Sequence, residues 1–386
     1  MIIQKPISVY VHWPFCEKKC PYCDFNSHIS SEIDHIKWEK ALIRELQYCI
    51  ETFLDERNGK RWLKSIFFGG GTPSLMPPKT AESFINFCKD YFGEPPNNKE
   101  TEITIEANPN SLLEKNLYDF SSSGINRISI GVQSFSDKDL KFLGRLHSSK
   151  EAIKSIEMSM KVFQRVSFDL IYALPGQSIG SWTKSLSHAL SYSTGHLSLY
   201  QLTIEPGTAF NRDFLKGLIK LPNDNIASIL YKKTSELTQL SGVPSYEVSS
   251  YSKPGEECQH NLVYWSGGDW LGIGPGANGR ISTPNGDRIQ VEMRKDPNSW
   301  LNDVFKKHNG INKVSNESKK DHEIEKVMMG LRLTKGLSIK DIKKIINLTE
   351  MKKLIDANYL DLSKGILKTT MNGRLNLNSV LSCLVI

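Results

Sequence analysis

Three cysteines, Cys16, Cys20 and Cys23, fall within eight residues of one another in the stretch FCEKKCPYCDF. Thiolates at C-x3-C-x2-C spacing suit a metal. A structural zinc ion is usually closed by four ligands, often in two knuckles. Here there is one knuckle of three, with His12 as the nearest candidate for a fourth. An iron–sulfur cluster accounts for the count better, because cysteine thiolates hold its irons one each. Three cysteines on a four-iron cubane leave one iron without a protein ligand. An uncommitted iron is a place for an outside molecule and for chemistry. The other four cysteines, Cys49, Cys88, Cys258 and Cys383, are isolated in the sequence. An odd total of seven argues against a secreted disulfide scaffold and for a reducing cytoplasm.

The elements that must position this loop read as strands alternating with helices. Short apolar or alternating runs at 7–13, 65–69, 102–107, 127–132, 166–172 and 196–205 predict strands. Between them, residues 38–54 place Leu42, Leu46, Cys49 and Ile50 on one helical stripe, and 149–163 does the same with Ile153, Ile156 and Met160. Strand then helix, repeated about six times, predicts an α/β fold with a parallel sheet curling toward a barrel. Polar residues recur where these strands end: GGGTPS after the second, Glu106 in EANPN, Gln133 in GVQSF and Asp169 within the fifth. In parallel barrels, ligand-binding groups gather at that rim. Any one of these could be a turn residue; their recurrence points to a single site.

At 386 residues the chain exceeds one ordinary core. Its texture changes after about residue 290. Residues 308–321 (HNGINKVSNESKKD) are polar and predict a loop, and amphipathic helices follow. The expected division is 1–290 as barrel and 291–386 as a small, mainly helical domain with a little sheet. Net charge is +7, from 49 basic and 42 acidic residues, a weak bias that does not call for nucleic acid. The N-terminus lacks a secretory pattern, and no apolar run is long enough for a membrane span or anchor.

YVHWPFCEKKCPYCDF resembles the cluster loop of radical S-adenosylmethionine (SAM) enzymes. The resemblance implies a partial (β/α)6 TIM-like barrel and a 4Fe-4S cluster on Cys16, Cys20 and Cys23. SAM would chelate the open iron, and one electron would cleave it to methionine and a 5′-deoxyadenosyl radical. It also implies SAM contacts from Tyr10, Tyr22, Gly70, Gly71, Thr72, Glu106, Gln133, Arg145 and Asp169. Their chemistry suits this: glycines allow close approach, carboxylates accept from hydroxyls or an ammonium, and arginine holds a carboxylate.

Over nearly its whole length the chain is similar to the oxygen-independent coproporphyrinogen III oxidase group. The decarboxylating members carry a further cysteine two residues after the third, where this chain has Phe25. CDFNS resembles instead the HemW branch, regarded as heme chaperones that deliver heme to apoproteins, notably respiratory enzymes. HNLVYW (260–265) matches a pattern of that branch linked to heme. It implies His260 as an axial ligand, with Tyr264 and Trp265 against the macrocycle and Cys258 as an alternative soft ligand. Chemistry alone favours the other reading, in which His260 and Asn261 cap a turn and the aromatics are core; the branch match reverses that preference. The two functional expectations are a heme carrier and a coproporphyrinogen oxidase.

Overall fold

The computed structural model describes residues 5–30, 32–54, 61–96, 99–283 and 287–385. Six strand–helix steps open it: β1 (Pro6–Trp13), α1 (His35–Phe53), β2 (Trp62–Gly70), α2 (Pro78–Tyr91), β3 (Glu102–Ala107), α3 (Glu114–Ser122), β4 (Arg127–Gln133), α4 (Ser149–Val162), β5 (Arg165–Tyr172), α5 (Ile179–Ser191) and β6 (Gly195–Gln201). α6 (Asp224–Leu240), β7 (Ser250–Ser252), α7 (Gln259–Trp265) and β8 (Trp270–Ile273) come next, then β9 (Asn278–Ser282), β10 (Arg288–Met293), α8 (Pro297–Lys307) and β11 (Ile311–Glu317).

All these strands join one sheet in the order β11-β10-β9-β8-β1-β2-β3-β4-β5-β6-β7. The six strands expected from sequence are its six consecutive parallel members, with β8 parallel to β1 as a seventh. They are buried nearly throughout, as β1 is, because helices cover one side and the cavity walls form the other. Helix starts are set locally. Ser148 and Glu151 make a capping box on α4, and Ser178 with Ser181 does so on α5.

The α1 stripe is buried as expected, at Leu42, Leu46, Cys49 and Ile50. Each such side chain contributes about 1.5–3 kcal/mol of burial. The α4 stripe is rotated from expectation. Its buried face is Ala152, Ser155, Ile156 and Ser159, and Met160 lies in solvent. Small residues let this helix sit close: Ser155 Oγ reaches the carbonyl of Pro109 at 3.3 Å.

The polar stretch expected as a loop at 308–321 is largely β11, an edge strand paired antiparallel to β10. The boundary expected at 290/291 falls inside β10. β9–β11 and α8 form a wing riveted to the barrel by Glu45 of α1. Glu45 accepts from the backbone N–H groups of Gly274 and Gly310 and from Trp300 Nε1, at 2.7–2.8 Å. Burial pushes its carboxyl up to about 7, against those three donors. A second hydrophobic cluster holds Val327, Leu331, Ile342, Leu360, Leu367, Leu381 and Leu384 together, around a three-stranded sheet and short helices.

Candidate cluster and cofactor site

The cysteine loop leaves the C-terminal end of β1 and is closed at its root. Phe15 and Cys16 pair with His28 and Ile29, and the N–H of Cys23 donates to the carbonyl of Cys20 at 3.1 Å. Asn26 fastens the loop from outside. Its amide donates to the carbonyls of Pro275 and Lys295 at 2.9 and 2.8 Å, and its carbonyl lies 2.9 Å from His12 Nε2. His12 Nδ1 faces Tyr10 OH at 3.0 Å, so both its nitrogens are engaged and it is no fourth thiolate partner.

All three cysteines are half-buried and free. Thr72 Oγ1 donates to Cys16 Sγ at 3.3 Å, and Arg145 Nη1 lies 3.5 Å from Cys20 Sγ. Burial raises the thiol pKa values of Cys16 and Cys23; the neighbouring sulfurs raise Cys16 further, against the Thr72 hydroxyl. Among the described residues, no three His, Cys, Asp or Glu side chains converge as they would on a single metal ion. A cubane spaces its thiolate ligands more widely, one per iron, and the half-buried sulfurs suit it.

The loop faces a cavity of about 600 Å³ at the ends of the parallel strands. Cys16, Cys20, Cys23, Tyr22, Gly70, Gly71, Thr72, Glu106, Gln133, Arg145 and Asp169 all line it. The structure thus brings together every expected cofactor residue but Tyr10 and His260. Gly70 has φ +110°, and a Cβ there would sit 2.6 Å from the His12 ring; at Gly71 it would sit 2.7 Å from the Phe15 carbonyl oxygen. The glycines are therefore required by the protein's own packing around the loop, besides any approach by a ligand.

Strand register sets the carboxylates. Glu106 of β3 is opposite Ser129 of β4, and Asp169 of β5 is opposite Ser198 of β6. Glu106 accepts from the N–H of Gly70 at 3.2 Å. Burial, then the neighbouring Asp169, pushes its carboxyl up to about 8. Burial likewise lifts Asp169 to about 6, against hydrogen bonds and the positive charges of Arg127 and Arg145.

Among the described residues, the buried groups of the cavity wall without partners include Gln133 and Arg145. Gln133 holds a left-handed backbone at φ 69°, and its buried Oε1 accepts nothing. Arg145 Nε is also buried and unpaired, though Nη2 donates to the carbonyl of Gly131 at 2.8 Å and to Asn108. Buried orphans of this kind fit a polar ligand that supplies the missing bonds. Asn108 was not singled out from sequence, although it lies in the EANPN stretch. It connects the site by donating to Thr72 Oγ1 at 2.9 Å while accepting from Arg145.

Tyr10 lies behind this wall, in an inner chamber of about 210 Å³ with Phe67, Arg127, His196, His260 and Tyr264. Glu106, Ser129, Asp169 and Tyr200 line both spaces. His260 is 0% exposed. Its Nδ1 is 2.8 Å from Ser65 Oγ and its Nε2 is 2.7 Å from Tyr264 OH, with the ring stacked on Phe67. Both nitrogens are committed, so the geometry departs from the expected axial ligand. Burial, outweighing the pull of nearby Glu102, drives its pKa down to about 3 and keeps it neutral. Cys258 is no better placed: it is buried, with its thiol pushed up to about 12 by burial and then Glu102. The cap on α7 comes from Glu102, which accepts the N–H groups of Gln259 and His260, both at 3.0 Å.

Residues 10–189 match the Radical SAM superfamily. Heme chaperone HemW of Buchnera aphidicola subsp. Schizaphis graminum is 37% identical over 383 residues, covering 97% of this chain and 97% of that protein. Heme chaperone HemW of Haemophilus influenzae is 36% identical, with 97% of each chain covered. Among solved structures, the coproporphyrinogen III oxidase HemN of Escherichia coli superposes with a TM-score of 0.79 at 20% identity, over 98% of this chain and 90% of that one, a likeness of fold. With its cysteine loop, glycine turn and strand-end carboxylates on one cavity, and with relatives of this identity along almost its full length, the chain belongs to the HemW family of the radical SAM superfamily.

Proposed function

We propose that this chain is a heme chaperone that carries a SAM-chelated 4Fe-4S cluster and delivers heme to apoproteins, respiratory enzymes among them. The observation that carries this reading is identity of 36–37% over 97% of the chain to proteins named heme chaperones. Phe25 supports it against coproporphyrinogen oxidation. The ring occupies the position of the oxidases' further cysteine, lines the cavity and is 57% exposed.

Cys16, Cys20 and Cys23 would hold three irons. Tyr22, Gly70, Gly71, Thr72, Glu106, Gln133, Arg145 and Asp169 would hold SAM, and Tyr10 would position His12 behind them. Cluster and SAM together supply one-electron chemistry when bound. The chain's own work is to fix the open coordination site toward the cavity and to keep carboxylates and Arg145 poised around it. Among the described residues no helix is long and apolar enough to cross a membrane. A reducing cytoplasm suits the three unpaired cluster thiols.

The test uses anaerobically reconstituted protein. Iron and sulfide are assayed, heme is titrated into the same sample, and heme-loaded protein is mixed with an apo-acceptor. Heme uptake followed by transfer is expected. Conversion of coproporphyrinogen III to a vinyl product, given SAM and reductant, would overturn the carrier reading.

A further inference from the structure

The cavity wall away from the cysteines has a different character. Ile171, Leu199, Leu202, Val248 and Leu375 line it, with aromatic rings from Tyr172, Tyr200 and Tyr231. Such a wall suits a flat apolar body. One cation stands on it. Arg374 comes from the short helix Met371–Leu375, beyond the barrel in sequence, and is presented by Thr370, whose Oγ1 caps the helix at Gly373 N–H.

Arg374 is under-used. Nη1 donates to Ser245 Oγ at 3.0 Å, the side chain also hydrogen-bonds Tyr231, and Nε is buried without a partner. Among the described residues no carboxylate forms an ion pair with it. Glu247, the acidic group that acts on the same tyrosine, Tyr231, takes its bond from Ser249 N–H at 3.0 Å. The other cations of the cavity stand at its cysteine end. Arg145 is committed beside Cys20, and Lys18 and Lys19 are exposed on the cysteine loop. A guanidinium with spare N–H groups beside an apolar wall is a carboxylate receptor, because its planar fork takes two oxygens at once.

We infer that Arg374 anchors a propionate of the cargo heme, with the macrocycle against the tyrosine and leucine wall. This rests on the heme-carrier reading. The cargo then touches two units: the barrel supplies the slot, and the segment after β11 supplies the charge. Arg374 is a specificity determinant for the acid side chains of a tetrapyrrole and has no part in holding the cluster.

The test compares hemin with its dimethyl ester, titrated into cluster-loaded protein. Wild type is expected to favour the free acid by about tenfold to a hundredfold, the worth of a charge-assisted pair. Arg374→Leu is expected to bind both forms equally, with the ester at wild-type affinity, and Arg374→Lys to restore part of the preference. Equal binding of acid and ester by wild type would overturn the inference, whether or not the leucine variant folds. So would a persisting preference in Arg374→Leu, or an equal loss of both ligands at an unchanged unfolding midpoint. If wild type bound neither form, the carrier reading itself would fall, and this inference with it.

Discussion

The barrel holds two groups of cysteine, histidine, tyrosine and arginine side chains, one at each end of its strands. At the C-terminal rim the sulfurs are free and half-buried, and Gln133 Oε1 and Arg145 Nε have no partners. Toward the strands' N-terminal ends, Glu102 accepts from Arg165 at 2.7 Å and from two backbone N–H groups, and His260 is bonded at both nitrogens. Arg127 Nε is among the unpaired groups there. The same residue types serve opposite ends. Where their bonds are closed within the protein, they tie β3 to α7 and stabilise the fold. Where bonds are left open, they fit a polar ligand.

That contrast can be broken most sharply at the rim. Cys20→Ser replaces a soft thiolate with a hard hydroxyl. It is expected to lose nearly all iron and sulfide after anaerobic reconstitution, while the cluster-free protein unfolds at the wild-type midpoint. Retained cluster would contradict the assignment. At the other end, Glu102→Ala takes one carboxylate from Arg165, which keeps Glu256, removes the negative charge facing buried Arg127, and uncaps α7. Removing one member of a buried pair costs about 3–5 kcal/mol, to be read from denaturant unfolding, with cluster content per folded molecule unchanged.

His260→Ala sharpens the contrast further. Ser65 keeps its bond to Ser8 Oγ at 2.7 Å, so the loss falls on Tyr264 and the emptied ring site, and about 1–3 kcal/mol of stability is expected to go. The heme spectrum and affinity should not change; loss of a heme band would restore His260 as a ligand. The smallest effect concerns pH. Glu106 and Asp169 titrate near 8 and 6 in the free protein, both raised mainly by burial. A raised carboxyl pKa favours folding below the ordinary carboxylate range, and that contribution is lost as pH climbs through 6 and 8. A cationic ligand needs the ionised forms. SAM should therefore bind about tenfold more tightly at pH 8 than at pH 6, releasing a proton. Calorimetry in buffers of differing ionisation enthalpy measures that release, and a flat pH profile would argue against carboxylate contact.

The legibility of the chain follows the same physics. The parallel strands were readable because a buried strand must be apolar, and the rim residues because they sit where those runs stop. β11 was not, since an edge strand with intermediate and exposed positions has no apolar face to announce it. Met160 shared its helical period with the buried face of α4, yet serines occupy that face because close packing there needs small side chains. His260 was misleading for a different reason. A residue's type tells what it could bind, while only the fold tells whether Ser65 and Tyr264 have already bound it. Arg374 gave no sign at all, because it reaches the cavity from more than 170 residues beyond β6.

The amide of Asn26 has a bearing on biosynthesis. It bolts the cysteine loop to the carbonyls of Pro275 and Lys295, some 250 and 270 residues downstream. A ribosome releases the three cysteines early, but the clamp that shapes their loop is missing until the wing has been made. Metal loading on the proposed cysteines is therefore expected of the finished polypeptide, since chains shorter than about 300 residues lack one or both carbonyls.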